Sequence, residues 1–176
     1  MKFHPNLLPP SCLIELDKKI DSRGYFAREF CSDEFTKNGL ESFFPQSNLC
    51  LNHHKGTLRG LHAQSYPFQE TKVVRCLKGQ IFDVIVDMRP DSESYLKHFS
   101  AILSADNSLA MYVPQGFYHG YQALTDDVLI HYHVSRPYSP DHEVGLSYCD
   151  PLLDIKWPLK PCHVSQKDLS WPLISS

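Results

Sequence analysis

The sequence contains no apolar run approaching the roughly 20 residues that a helical membrane crossing requires. Its first residues, MKFHPNLLPP, carry a charge but only a short apolar piece broken by prolines, so they do not read as a secretion signal. There is no surplus of positive charge either: 17 Lys and Arg stand against 20 Asp and Glu, with no long basic run. A broad phosphate-neutralising face for nucleic acid is therefore excluded, although a few cations converging locally could still hold an anionic ligand. None of the six cysteines forms a C-x-x-C pair, and their spacing resembles no zinc ribbon, so free thiols in a reducing cytoplasm are expected. No internal repeat of 20–50 residues is present. What remains is a single domain, residues 1–176, long enough to bury about 70% of its unfolded surface without a disulfide.

What the chain does have is a series of short runs rich in β-branched and aromatic residues, separated by turn residues. Strands are expected at Cys12–Leu16, Tyr25–Phe30, Gln46–His53, Thr57–His62, Thr71–Cys76, Gln80–Asp87, Phe99–Leu103, Met111–Val113, Tyr118–Leu124 and Val128–Val134. Thr71–Cys76 and Gln80–Asp87 flank Lys78-Gly79, which reads as the turn of a hairpin because Gly tolerates positive φ. Ser32–Gly39 reads as a brief helix, with Ser32 as cap, Asp33 and Glu34 in the first turn and Gly39 at the end. From Gly145 onward, Trp157-Pro158, Pro161 and Trp171-Pro172 predict ordered but irregular chain. Many strands and one weak helix describe an antiparallel all-β sandwich or barrel of jelly-roll type.

Side chains alternate along a strand, so each run can be sorted into faces. Lys72, Asp83 and Tyr132 then fall among apolar neighbours, where a polar group points into a barrel, while His131 and His133 face away from Tyr132. Pro114-x-Gly116-x-x-His119 resembles the second motif of the cupin barrels, which places a His at the barrel mouth. A metal cupin needs an H-x-H pair in its first motif. Here Gly60 stands two residues before His62, and the H-x-H of His131 and His133 lies on a later strand, so no stoichiometric zinc, iron or manganese is expected. A metal-free pocket with His, Lys and Tyr suits proton abstraction next to a carbonyl: neutral His as base, Lys to stabilise the enolate oxygen, and Tyr as proton donor. The residue types alone are equally compatible with a barrel carrying incidental polar groups.

Several motifs occur together. In order they are Asp21-x-Arg23-Gly24-Tyr25-Phe26, Leu58-Arg59-Gly60-Leu61-His62, Lys72-x-Val74-Arg75 and Phe82-Asp83-Val84-x-Val86-Asp87. They continue with Val113-Pro114-x-Gly116-Phe117-x-His119-Gly120, Asp150-Pro151, Trp157-Pro158-Leu159 and Ser165-x-Lys167-Asp168. This set resembles the dTDP-4-dehydrorhamnose 3,5-epimerase family along nearly the whole chain. The resemblance implies a metal-free, cofactor-free cupin jelly roll, a homodimer, and an isomerase in deoxysugar or surface-polysaccharide biosynthesis. Its substrate would be a nucleotide-linked 4-keto-6-deoxy sugar.

By position, the resemblance implies His62 as base, Asp168 as its partner, Tyr132 as donor and Lys72 as enolate stabiliser. Arg23, Gln46, Asn48, Arg59, His119, Glu143 and Lys167, with Lys72, match substrate-contacting positions; the arginines and Lys167 suit a pyrophosphate. The chain departs from the family at Ser47 and Leu49, at Arg28-Glu29, and at His133 after Tyr132. Alternatives are a single-centre epimerase of a dTDP- or CDP-linked sugar, a non-catalytic sugar-nucleotide-binding module, and a metal-dependent cupin.

Overall fold

The structure, a computed structural model, describes residues 1–174. Thirteen strands are formed: β1 (Lys2–Pro5), β2 (Cys12–Glu15), β3 (Lys19–Asp21), β4 (Gly24–Phe26), β5 (Gln46–Asn52), β6 (Leu58–Gln64) and β7 (Lys72–Lys78), then β8 (Gln80–Asp87), β9 (His98–Ser104), β10 (Leu109–Val113), β11 (Phe117–Ala123), β12 (Val128–Val134) and β13 (Glu143–Gly145). Among the described residues there are also two short α-helices, α1 (Ser32–Lys37) and α2 (Gln166–Leu169), and a 3-10 turn at Pro140–His142. One sheet has the order β1-β2-β10-β7-β12-β5 and the other β13-β6-β11-β8-β9, while β3 and β4 form a separate ribbon. All the strand pairs are antiparallel, as the all-β jelly-roll reading requires.

Three apolar layers hold the sheets. Between them lie Val74, Cys76, Ile81, Ile85, Met111, Phe117 and Ile130. The outer face of the six-stranded sheet is covered by Phe35 of α1 with Phe3, Phe30 and Phe44, against Ile14, Val73 and Tyr112. The outer face of the five-stranded sheet is covered by the C-terminal segment, where Leu146, Leu153 and Trp157 pack on Leu61, Val84 and Val86. Both faces of the central strands are therefore buried, which is why β8 between Gln80 and Asp87 reads as Ile, Phe and Val interrupted by Asp83.

Four expectations change. Lys78-Gly79 is not a hairpin turn: β7 pairs with β10 and β12, whereas β8 pairs with β11 and β9 in the opposite sheet. Gly79 sits at a corner with φ +78°, and a Cβ there would lie 2.4 Å from Thr125 Oγ1. A hairpin and a corner both require such a residue, and alternation along a strand does not say which sheet the strand joins. Ser32 does not cap α1. It is the first helical residue, Cys31 occupies the cap position without a side-chain bond, and burial of Phe35 sets the helix. The strand expected at Tyr25–Phe30 ends at Phe26. Finally, the C-terminal segment contains α2, with Ser165 Oγ accepting the Asp168 amide at 3.0 Å. Ser165 and Asp168 have the spacing of a capping box, a local signal hidden among the prolines. The remainder of that segment is irregular and pinned: the fully buried Gln122 amide donates to Leu159 O and accepts its N–H.

Candidate active site

Strict alternation would put Arg59 and His62, three residues apart on β6, on opposite faces. The register between β6 and β11 shifts between His62↔His119 and Arg59↔Tyr121, an irregularity centred on Gly60. Gly60 has φ +115°, and its missing side chain is required, since a Cβ would lie 2.5 Å from Gly120 Cα. The shift turns Arg59 and His62 into one interior chamber of ≈ 170 Å³, with Lys72, His119, Tyr121 and Tyr132. A larger outer chamber of ≈ 320 Å³ shares His62, Lys72 and Tyr132 and adds Gln46, Asn48, Gln64, Glu70, Tyr138 and Glu143.

The walls come from opposite sheets. His62 projects from β6, while Lys72 and Tyr132 project from the neighbouring strands β7 and β12. Lys72 is only 12% exposed, and its ammonium is paired with Glu70 at 2.9 Å. Burial, reinforced by Cys50 and Glu70, raises the Tyr132 pKa and keeps the phenol protonated at neutral pH. His62 is pushed down to about 3, first by burial and then by the positive charges of Lys72, His119 and Lys167. It is therefore neutral and able to accept a proton.

Two histidine–aspartate pairs face this space. His62 Nε2 lies 4.0 Å from Oδ1 of the buried Asp168, beyond hydrogen-bond range. On the adjacent strand, His119 Nε2 lies 2.8 Å from Asp83 Oδ2 with both groups buried. Burial pushes the Asp83 carboxyl up, against His119 and Lys72, which draw it down.

Gln46, Asn48 and Glu143 line the outer chamber, and Arg59 and His119 the inner one. Lys167 stands at the rim with its ammonium on Glu143, whose carboxylate also accepts from Tyr138 Oη at 2.6 Å. Arg23 is not brought to the cavity. It lies at the β3–β4 turn, 88% exposed and paired with Asp21 at 2.7 Å. Sequence reasoning missed Gln64, Glu70 and Tyr138. Buried Gln64 donates to Glu70 at 2.9 Å, and so links β6 to the partner of Lys72. Alternation from His62 along β6 points Gln64 inward and could have found it; Glu70 and Tyr138 lie in connecting chain with no periodicity to reveal them.

The sequence profile of dTDP-4-dehydrorhamnose 3,5-epimerase matches residues 6–176. The chain belongs to that family. It is 44% identical over 161 residues to a dTDP-4-dehydrorhamnose 3,5-epimerase of Sinorhizobium fredii, covering 91% of this chain and 83% of the relative. The crystal structure of the Bacillus anthracis dTDP-4-dehydrorhamnose 3,5-epimerase, with TDP and PPi bound, superposes with a TM-score of 0.95 at 35% identity. It covers 98% of this chain and 99% of that one. A Legionella pneumophila 3,5-epimerase in complex with dTDP-4-keto-L-rhamnose gives 0.93 at 33% identity, over 98% and 92%. Membership fixes the cupin-type jelly roll and the isomerase class. Among the described residues, a group of donors spaced to hold a metal ion lies outside the cavity, where Glu29 faces His131 and His133 of β12.

Proposed function

We propose that the protein inverts C3 and C5 of a dTDP-linked 4-keto-6-deoxyhexose through enolate intermediates, in deoxysugar or surface-polysaccharide biosynthesis. The observation that carries this reading is that His62 and Tyr132 enter one cavity from opposite sheets, with Lys72 between the same two chambers. His62 takes the proton next to the ketone, Lys72 stabilises the enolate oxygen, and Tyr132 returns a proton to the other face of the sugar. A His held near pKa 3 is available but weakly basic. Closure of the His62–Asp168 gap on substrate binding would strengthen it, since a facing carboxylate favours imidazolium. Asp168 thus acts through His62. Gln46, Asn48, Arg59, His119, Glu143 and Lys167 hold the sugar nucleotide, with Arg59 and Lys167 toward the phosphates.

Arg23 fits the same role only if another copy delivers it. Ile20, Tyr25 and Phe26 on the β3–β4 ribbon are exposed, as are Leu49 and Leu51 on the edge strand β5. A homodimer covering that edge and ribbon accounts for both, because an open apolar edge promotes aggregation. Among the described residues no helix is long and apolar enough to cross a membrane, and the proposed site of action is the cytoplasm.

The test is incubation with dTDP-4-keto-6-deoxyglucose in D₂O. Deuterium at both C3 and C5, with inversion at both, is the expected result. Exchange at one carbon would leave a single-centre epimerase, and no exchange would sink the reading.

A further inference from the structure

On the side of β12 away from the cavity, His131 and His133 lie on one face, two residues apart, with Tyr132 turned inward between them. Glu29, in the link between β4 and α1, faces both rings. Its Oε1 lies 3.3 Å from His131 Nδ1 and its Oε2 lies 3.4 Å from His133 Nε2. One ligand atom from each residue falls within 4.8 Å of the others. Both contacts are longer than the usual N–H···O distance of about 2.9–3.0 Å. The two contacts end on different oxygens of the one carboxylate, which bridges the rings; neighbouring ligands of a tetrahedral ion with bonds of about 2.0–2.1 Å stand about 3.3–3.4 Å apart, so a small shift of the carboxylate would bring one oxygen and both rings onto such an ion.

We propose that Glu29, His131 and His133 form a binding site for a late first-row divalent ion of the zinc class, separate from the catalytic cavity. Two imidazoles and one carboxylate are a donor set that zinc accepts, and three protein ligands leave a fourth position for water. The surroundings orient the donors. Ser47 Oγ lies 2.6 Å from His131 Nε2, leaving Nδ1 for the ion, and Phe30 and Phe44 pack beside His133. Arg75 is the group that opposes a cation: its Nε lies 3.6 Å from Glu29 Oε1. Its Nη1 donates to Ser108 O. That bond anchors it on the sheet side of Glu29, and the two imidazoles occupy other approaches to the carboxylate.

The test uses the full-length protein, stripped with chelator and titrated with Zn²⁺ by calorimetry, with Co²⁺ absorption as a second readout. One saturable equivalent and the visible bands of tetrahedral Co²⁺ are expected. Even outer-shell partners of metal ligands are worth about 10–100-fold in affinity, so His133→Gln and Glu29→Gln should each weaken binding at least about tenfold. His54→Gln, at the stacked His54–His163 pair, should change nothing. Folding of each variant is checked by its thermal transition; if one fails to fold, the other carries the test. Absence of a saturable equivalent, survival of binding in the folded Glu29 or His133 variants, or its loss in the His54 variant would overturn the proposal.

Discussion

The two histidine–aspartate pairs of the cavity stand side by side on β6 and β11, with His62 and His119 in register, yet they are built differently. His119 is locked at 2.8 Å to an aspartate with no exposure. His62 stands 4.0 Å from Asp168, and its side chain keeps 29% of its surface open to the cavity. Asp83 comes from the centre of a buried strand, whose register on β11 is fixed by a continuous ladder. Asp168 comes from a one-turn helix in the C-terminal segment, joined to the barrel through side chains and scattered backbone bonds. A rigid pair holds a histidine in one orientation. A loose one leaves a neutral base that can gain strength when its partner closes in.

The largest effect expected from this contrast is at His62. His62→Ala should abolish both solvent exchange and inversion, by the roughly 10²–10⁴-fold that general acid–base groups contribute, as measured by deuterium uptake. An alanine variant that still exchanges would move the base elsewhere. Tyr132→Phe comes next: inversion should fall on the same scale while exchange persists, because the base and Lys72 remain. Inversion at near-normal rate would instead assign the returned proton to another group.

The two aspartates should then separate. Asp168→Asn is expected to lower turnover roughly ten- to a hundredfold, the scale of one hydrogen bond to a charged group, and to change the pH profile with little change in melting temperature. Asp83→Ala should act mainly on stability, at about 3–5 kcal/mol for one partner removed from a buried pair, read by denaturant unfolding. If the two variants exchanged these signatures, the division into rigid and loose pairs would fail.

The smallest effect concerns pH. Because the His62 pKa is depressed in the folded state from 6.5 to about 3, only the unfolded chain gains this proton as the pH falls through 6.5. Stability should therefore decline between those values, and His62→Gln should flatten part of the decline. Lys167→Met removes one of the charges holding His62 down, so its NMR titration should shift to higher pH. An unchanged or lower value would reject that electrostatic account.

Much of this molecule was written locally. Period-two alternation placed Lys72 and Tyr132 in the cavity and His131 and His133 behind it, because side-chain direction on a strand depends only on position. The motif pattern identified the family, and by position it pointed to His62 and Asp168 as the pair to test. Three things required the folded chain. The Lys78-Gly79 corner sends β7 and β8 to different sheets, a choice made by partners far along the chain. The register shift at Gly60 brings Arg59 to the side of His62, because two glycine backbones approach where no Cβ fits. The gathering of Glu29 with His131 and His133 joins residues about a hundred positions apart, through packing of the segment around Phe30 on the outer face of the sheet. Sequence fixes which way a strand residue points; which residue it meets there depends on contacts between distant segments, and those exist only once the sheets have packed.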